Sequence, residues 1–294
     1  MNWETIAQHI RDAVGESFTI ERHDSVGGGC INQAWHIQGA AQDYFVKLNR
    51  AEQLAMFEAE AEGLRAMAEA DAVRVPQAIC TGTVDGQAFI VQEYLPMGGG
   101  GKGVMEQFGR ELADMHRYTR DSFGWHRDNT IGSTPQPNDE NPDWIDFWRE
   151  RRLGFQLQLA ARKGAGRGLL NKGERLMSDL DAFFDGYQPE ASLLHGDLWS
   201  GNYGVTREGE PVIFDPAVYF GDREADLAMT ELFGSFGDAF YAAYNEAWPL
   251  DAGYRVRKTF YNLYHILNHF NMFGGGYAGQ AESMIDRLLG ELRA

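Results

Sequence analysis

The sequence contains few of the residues that stabilise small secreted domains, and it lacks a segment that would enter a membrane. Only 2 of its 294 residues are cysteine, which excludes a disulfide framework, and only 9 are proline. No run of about 18 apolar residues occurs, so no transmembrane segment is predicted. The first residues place Glu and Asp within a helical pattern and show no apolar signal-peptide core. We therefore expect a cytoplasmic protein with reduced thiols.

Basic residues are also scarce relative to acidic ones. The chain has 26 Lys and Arg against 43 Asp and Glu, which gives a net charge of −17 with neutral histidines. Nucleic-acid binding and docking on an anionic membrane both need a basic surface, so neither partner is expected. The acidity does not exclude a local basic pocket for a phosphorylated small molecule. Solubility is the simplest explanation of the excess of acidic residues.

The composition is that of a folded protein, with 44% apolar and 23% charged residues. Residues 1–96 predict an N-terminal lobe built mainly from an antiparallel sheet, in which Asp85-Gly86 forms a hairpin turn. The periodicity predicts helices at 3–14 and 51–70, and strands at 18–26, 30–38, 44–49 and within 75–95.

The glycine-rich segment 97–103 is the clearest break in composition and predicts a linker. Residues 104–294 are mostly helical, interrupted by the irregular segments 122–144 and 193–228. Helices are predicted at 104–120, 144–163, 171–186, 224–233, 237–247, 254–272 and 277–292. The predicted class is α+β, with a small sheet lobe and a larger helical lobe. A cleft between two such lobes is a common place for a ligand site.

One spacing in the second irregular segment carries specific chemistry. Asp197 follows His195-Gly196, Asn202 lies five residues further on, and Asp215 thirteen beyond that. The spacing is typical of protein-kinase-like phosphotransferases, in which the first Asp accepts a hydroxyl proton and the other two residues bind Mg²⁺. Hard cations prefer such oxygen ligands. The alternative is an N-cap, a turn and a strand end without chemistry.

The N-terminal lobe offers groups for the phosphates of a nucleotide. Gly27, Gly28 and Gly29 lie between two strands, where backbone N–H groups could approach phosphate, although a plain glycine hairpin fits equally. Lys47 stands in an apolar strand and is predicted to hold the α- and β-phosphates; an edge-strand lysine facing water is the alternative.

The following helix must supply a partner for Lys47. Glu58, Glu60 and Glu62 are the candidates, and we choose Glu60, because it precedes Leu64 by one helical turn and should point inward. All three could instead face solvent. Backbone groups of the segment Glu93, Tyr94 and Leu95, which ends the last strand of the lobe, are predicted to bind an adenine edge.

HGDLWSGN and DPAVYFGDREADLAM resemble the fructosamine-3-kinase, or ketosamine-3-kinase, family within the aminoglycoside-phosphotransferase and choline-kinase group. The resemblance extends from about residue 20 to residue 292. The segments that carry it are 27–34, 45–49, 56–60, 130–138, 148–158, 195–202, 215–229 and 263–274.

The resemblance implies phosphorylation of the sugar 3-hydroxyl of a ketosamine, an Amadori-type adduct on an amine, with ATP and Mg²⁺. The 3-phosphate labilises the adduct, so that the free amine is recovered. By the same resemblance, Asp197 is the base, Asn202 and Asp215 hold Mg²⁺, and Lys47 with Glu60 positions the phosphates.

Five further positions are assigned to the substrate. Trp199 is expected to stack on the substrate and His269 to contact it, against the alternatives of a core aromatic and a helix-packing histidine. Gln136 and Asn138, from the irregular segment, offer hydrogen bonds to a polyhydroxy sugar. Asp222 stands where family members often carry His, and its carboxylate would favour a cationic amine.

Met272 and Cys30 add two expectations to the family resemblance. Met272 replaces a second His of the family and, like Asp222, changes the expected acceptor pocket. Cys30 follows the glycines, as in many family members, and nearby amides could lower the pKa of its thiol and make it oxidisable; a small residue beginning a strand is the alternative.

The sequence thus predicts a small-molecule ketosamine kinase, either monomer or homodimer. The rivals are another kinase of the superfamily, acting on an aminoglycoside, choline or homoserine, and a catalytically silent nucleotide-binding regulator.

Overall fold

The computed structural model describes residues 2–27 and 31–293. The chain divides into two compact units by its internal contacts. Unit 1 consists of the described residues up to Val104 together with Tyr203–Pro216, and unit 2 consists of Met105–Asn202 and the described residues from Ala217 onward. Among the described residues, no helix is both long and apolar enough to cross a membrane.

Unit 1 is built on a five-stranded antiparallel sheet in the order β1-β2-β3-β5-β4. Its elements are α1 (Trp3–Val14), β1 (Arg22–Val26), β2 (Gln33–Gln38), β3 (Asp43–Arg50), α2 (Leu54–Glu69), β4 (Ala78–Val84) and β5 (Gln87–Glu93). The predicted turn between β4 and β5 is confirmed. Asp85 and Gly86 both have positive φ, as a two-residue hairpin of this kind requires.

Side chains alternate across the sheet and therefore pack on two helices. Ile6 and Ile10 of α1 join a core cluster with Val46, while Phe57 of α2 packs with Ile90 in a second cluster. Because successive residues of a strand point to opposite faces, Lys47, which follows Val46 and pairs with Ile90, lies on the α2 face.

Unit 2 is mainly helical. Its first elements are α3 (Val104–His116), β6 (Thr119–Arg120), β7 (Asn129–Ile131), β8 (Thr134–Gln136), α4 (Trp144–Phe147), α5 (Phe155–Arg162), α6 (Arg167–Ser178) and β9 (Ala191–Leu194). The next two strands, β10 (Tyr203–Val205) and β11 (Pro211–Ile213), belong to unit 1. The chain then returns to unit 2 with β12 (Tyr219–Gly221), α7 (Glu224–Leu232), α8 (Asp238–Ala247), α9 (Tyr254–Phe273) and α10 (Tyr277–Glu291). Strands β12, β9 and β6 form one small sheet, and β7 and β8 form a hairpin.

Two predicted helices differ in the structure. The predicted helix 144–163 contains a π-helical segment, Trp148–Gly154, between α4 and α5. The segment brings Arg152 into the interior, where its guanidinium lies 4.0 Å from the centre of the Tyr219 ring. The predicted helix 171–186 instead begins at Arg167 and ends at Ser178, followed by a 3₁₀ segment.

The segment Tyr203–Pro216 was predicted to belong with 104–294, whereas the structure groups it with unit 1. Its hairpin is tied there by backbone hydrogen bonds. The Ile213 N–H donates to the Arg74 carbonyl over 3.1 Å, and the Gly98 N–H donates to the Val205 carbonyl over 2.8 Å. Gly98, within the glycine-rich segment, is therefore docked on this hairpin. A Cβ there would lie 2.9 Å from the backbone of Arg207.

Candidate active site

Lys47 is a buried cation held between two carboxylates of unit 1. Its side chain is 6% exposed, and its Nζ lies 2.6 Å from Oε1 of Glu60 and also contacts Oδ1 of Asp215. Of the three glutamates of α2 considered from the sequence, Glu60 is therefore the one in contact. Gln92 donates to the same Glu60 oxygen over 2.6 Å, which fixes the carboxylate.

The electrostatics keep this lysine charged. Burial alone would lower the pKa of Lys47, but the charges of Asp215 and Glu60 outweigh burial and hold the pKa above its ordinary value. Burial raises the pKa of Glu60, an effect that the charge of Lys47 opposes. A buried, fully charged ammonium whose position is fixed can bind the phosphates of a nucleotide.

Asp215 follows strand β11 in an unusual backbone conformation. Its φ is +58°, a region that a residue other than glycine seldom adopts and that often marks a functional position. The side chain remains 47% exposed although one oxygen contacts Lys47. The carboxylate thus has access to a ligand in solution.

The glycine segment is only partly described. Gly27 is exposed, and a Cβ added to it would meet no atom within 4 Å. Gly28, Gly29 and Cys30 lie outside the described residues, so their predicted phosphate-binding and redox roles stay predictions.

The segment expected to bind an adenine edge uses part of its backbone internally. The Glu93 N–H donates to the Gln77 carbonyl over 2.8 Å, and the Glu93 carboxylate contacts Arg74. The Glu93 N–H is therefore engaged within the lobe, and an adenine contact by the other backbone groups of Glu93 stays a prediction. Tyr94 stacks on His36 with ring centres 3.7 Å apart, and Leu95 is half-buried. Adenine contacts by the backbone of these two residues stay predictions.

In unit 2, the loop after β9 places Asp197 and Asn202 together. Asn202 donates from Nδ2 to the Asp197 carbonyl over 2.8 Å and to the Asp197 carboxylate over 3.3 Å. The loop begins at Gly196, whose φ is +81° and whose Cβ, if present, would lie 2.1 Å from the Ala217 carbonyl oxygen. Only glycine fits at this position.

Asp226 of α7, which the sequence analysis missed, anchors this loop. Its two carboxylate oxygens accept the backbone N–H groups of His195, over 2.7 Å, and Gly196, over 2.8 Å. Burial alone would raise the pKa of Asp226, but hydrogen bonds, among them that from His116, lower it below its usual value. The carboxylate is 2% exposed and ionised. The sequence did offer one signal for this residue, since Asp226 is acidic and lies among apolar residues of a predicted helix.

The Asp226 carboxylate sets the tautomer of His116. An ionised carboxylate only accepts, so Nε2 of His116 carries the proton and donates to Asp226 over 3.2 Å. Nδ1 of the neutral ring then accepts from the Tyr244 hydroxyl, 2.8 Å away, and the oxygen of that hydroxyl accepts from Arg223 over 3.1 Å. Burial lowers the pKa of His116, which keeps the ring neutral at pH 7.

Changing Asp226 to Asn is expected to lower kcat by about 10²-fold, since an amide turns one donor toward a backbone N–H and displaces the loop that carries Asp197. Each unsatisfied buried donor should also cost about 1–3 kcal/mol of unfolding free energy. Steady-state rates and urea unfolding measure both effects. Asp114→Asn, at an exposed Asp of α3 paired with Arg117, is the matched control. An unchanged kcat in Asp226→Asn would show that the loop does not depend on this carboxylate.

Three residues assigned to the substrate are instead structural. Gln136 and Asn138 are fully buried, as is Asp222. Gln136 donates to the Ala217 carbonyl over 3.1 Å, and Asn138 accepts from Arg152 over 2.8 Å. Gln136 and Asn138 are both 0% exposed, so the structure gives these two amides interior hydrogen-bonding roles, and their assignment to the substrate is corrected.

Asp222 has the same kind of environment. The hydroxyls of Tyr187 and Tyr261 both donate to its carboxylate, and so does the Glu224 N–H, over 3.0 Å. Burial raises the pKa of Asp222. Discrimination between cationic and neutral amines by this carboxylate is therefore not expected.

Two other substrate candidates are accessible. Trp199 is 37% exposed and meets the Phe233 ring edge-on at 6.4 Å. His269 is half-buried, and its Nδ1 donates to the His265 carbonyl over 2.8 Å. Neither side chain is confined to the core.

The chain matches the family model described as "Fructosamine kinase" over residues 2–291. A Synechocystis protein named "Probable ketoamine kinase" is 49% identical over 98% of this chain and 97% of its own length. The chloroplastic protein-ribulosamine 3-kinase of Arabidopsis thaliana is 46% identical over 95% of this chain and 86% of its own.

Solved structures agree in fold. A Haemophilus somnus protein assigned as a fructosamine-3-kinase superposes with a TM-score of 0.89 at 31% identity, covering 98% of this chain and 97% of that one. An aminoglycoside phosphotransferase superposes with a TM-score of 0.66 at 14% identity over 98% of both chains, which shows the fold alone. The predicted kinase-like α+β fold is confirmed.

Proposed function

The chain belongs to the fructosamine kinase family, and from this premise we propose that it transfers the γ-phosphoryl group of ATP to the sugar 3-hydroxyl of a ketosamine. The observation that carries the proposal is the loop in which Asn202 bonds both the carbonyl and the carboxylate of Asp197. Such a loop presents a fixed carboxylate to an acceptor hydroxyl. Phosphorylation at this position labilises the adduct and releases the amine.

Lys47 and Glu60 serve the nucleotide in this proposal. The ammonium of Lys47 binds the α- and β-phosphate oxygens of ATP, and Glu60 keeps it in place, because Gln92 donates to the same Glu60 oxygen and fixes that carboxylate. In a chain with a net charge of −17, such a local cation is needed to bind a polyanion.

Mg²⁺ fits the residues available. Among the residues that the structure describes, no three His, Cys, Asp or Glu side chains are grouped as a metal site. Mg²⁺ in nucleotide sites needs only one or two protein oxygens beside phosphates and water. Asp215 offers an exposed carboxylate, and Asn202, whose Nδ2 is engaged by Asp197, offers its Oδ1. An Mg²⁺ ion held by these oxygens would neutralise negative charge on the nucleotide phosphates.

Asp197 acts on the acceptor. Its carboxylate takes the proton of the 3-hydroxyl while that oxygen forms a bond to the γ-phosphorus. The bond from the same phosphorus to the β,γ-bridging oxygen breaks, and ADP leaves. We also propose that the protein acts in the cytoplasm, a compartment in which ATP is present and thiols stay reduced.

ATP turnover against a panel of acceptors tests the proposal. Fructosamines, ribulosamines and erythrulosamines of lysine are expected to yield ADP and the 3-phosphate at rates at least tenfold above an aminoglycoside, choline or homoserine. Coupled ADP detection and phosphorus NMR of the product measure this. Faster turnover of a non-ketosamine would replace the proposed substrate. Failure of all acceptors, with ATP still bound, would favour a nucleotide-binding regulator.

A further inference from the structure

Five aromatic rings of unit 2 form a continuous surface, here called the aromatic shelf. It consists of Trp199, Phe233, His269, Phe273 and Tyr277. The Phe233 ring lies 6.4 Å from that of Trp199 and 4.8 Å from that of His269. The His269 ring in turn lies 5.7 Å from Phe273 and 5.2 Å from Tyr277.

The shelf is open to solvent at both ends. Phe273 is 60% exposed and Trp199 is 37% exposed. The other three rings are half-buried. Single exposed apolar residues need no explanation, but a series of contacting rings that all keep part of their surface exposed is typical of a binding surface.

The shelf begins at the proposed base. Trp199 is two residues beyond Asp197, and its indole lies against Gly201, where a Cβ would be only 2.3 Å from the ring. Glycine at 201 therefore lets the indole pack flat on the loop. Gly234, next to Phe233, approaches the Ser200 hydroxyl, since a Cβ there would lie 3.9 Å from it. The shelf is thus continuous with the loop that carries the base.

We propose that the aromatic shelf binds the amine portion of the ketosamine, and that it selects ketosamines whose amine bears an extended hydrocarbon chain, as the ε-amine of lysine does. The inference rests on the proposed function. The ketosamine nitrogen is a secondary amine that is cationic near neutral pH, and aromatic faces attract such a cation. The methylenes that follow it cover apolar ring surface.

His269 contributes a fixed polar edge to the shelf. Because a carbonyl oxygen only accepts, Nδ1 of His269 donates to the His265 carbonyl, and in the tautomer that this bond selects Nε2 is an acceptor. An ammonium on the shelf can donate to it. The sugar end of the same molecule then extends toward Asp197, two residues before Trp199.

A chain-length series tests the inference. Initial rates are measured with fructosyl-methylamine, fructosyl-propylamine and fructosyl-hexylamine. In the wild type, KM is expected to fall roughly two- to fourfold per added methylene until the shelf is covered, with kcat nearly constant. Phe273→Ala is expected to flatten this dependence, so that the KM of the hexylamine adduct rises toward that of the methylamine adduct. Phe273→Leu, which keeps apolar surface, should retain most of the dependence.

Tyr118→Ala is the matched control, because Tyr118 is 36% exposed and its ring contacts Phe220 rather than the shelf. It should keep the wild-type chain-length dependence. A wild-type KM indifferent to chain length, or an unchanged dependence in Phe273→Ala, overturns the inference while the proposed function stands. If Phe273→Ala changes only the oligomeric mass in sedimentation, the shelf is a contact between copies of the chain and the inference fails. Absence of turnover with every member, the shortest included, overturns the proposed function itself.

Discussion

Asp197→Asn is expected to lower kcat by about 10²- to 10⁴-fold, the usual contribution of a positioned base. The amide keeps the size of the carboxylate and still offers an oxygen to Asn202, whose Nδ2 also donates to the backbone carbonyl of residue 197. It cannot, however, accept the proton of the acceptor hydroxyl. Loss of kcat with an unchanged KM for ATP would therefore locate the effect in the chemical step.

Coupled ADP detection at saturating ATP and ketosamine measures the effect of Asp197→Asn, and thermal unfolding checks that the loop is intact. Ser200→Ala offers a control in the same loop, because it changes a side chain without a carboxylate. Turnover of Asp197→Asn within threefold of the wild type would remove Asp197 from the role of base.

Lys47→Met is expected to lower both stability and activity. Methionine fills the space of the aliphatic stem but leaves the Glu60 carboxylate, whose side chain is 10% exposed, without its cation. Breaking a buried pair in this way costs about 3–5 kcal/mol of unfolding free energy. Activity should fall as well, because the phosphates of ATP lose their buried ammonium. Urea unfolding and kcat/KM for ATP measure the two losses.

A second substitution separates the two effects of Lys47→Met. Glu60→Gln in the same chain neutralises the carboxylate left unpaired and should recover most of the lost stability, since an amide of the same shape can still bond Gln92. Catalysis should stay low in the double variant, because neither change restores a cation for the phosphates. Recovery of kcat/KM together with stability would mean that Lys47 acts on the fold and not on the nucleotide.

Local sequence patterns were sufficient where strand and helix periodicity decide the outcome. Alternation along β3 places Lys47 and Val46 on opposite faces of the sheet, and helical spacing in α2 favoured Glu60 as the inward-pointing glutamate. The structure confirms that Lys47 and Glu60 are in contact. The hairpin turn at Asp85 and Gly86 follows from the conformational preferences of those residues alone.

Polar residues near the motifs were harder to assign, because a sequence does not state what is buried. Gln136, Asn138 and Asp222 have the chemistry of sugar and amine ligands, yet each is surrounded by interior partners. Desolvation is tolerable for them only because those partners satisfy their hydrogen bonds. Asp226 was missed because its partners are backbone groups 30 and 31 residues away, so no local pattern indicates that it anchors the loop.

The sequence by itself determined the chemistry available to this protein: the His195-Gly196-Asp197 loop with Asn202, the lysine and its glutamate, and the acidic balance that makes a local cation necessary. Spacing along one chain fixes these because neighbouring residues share a loop, a strand or a helix face. Only the tertiary structure decided which polar groups are buried, that Asp226 anchors the loop, and that distant aromatic residues form a shelf beside it. Burial and long-range contacts depend on how elements pack, and no short spacing encodes that packing.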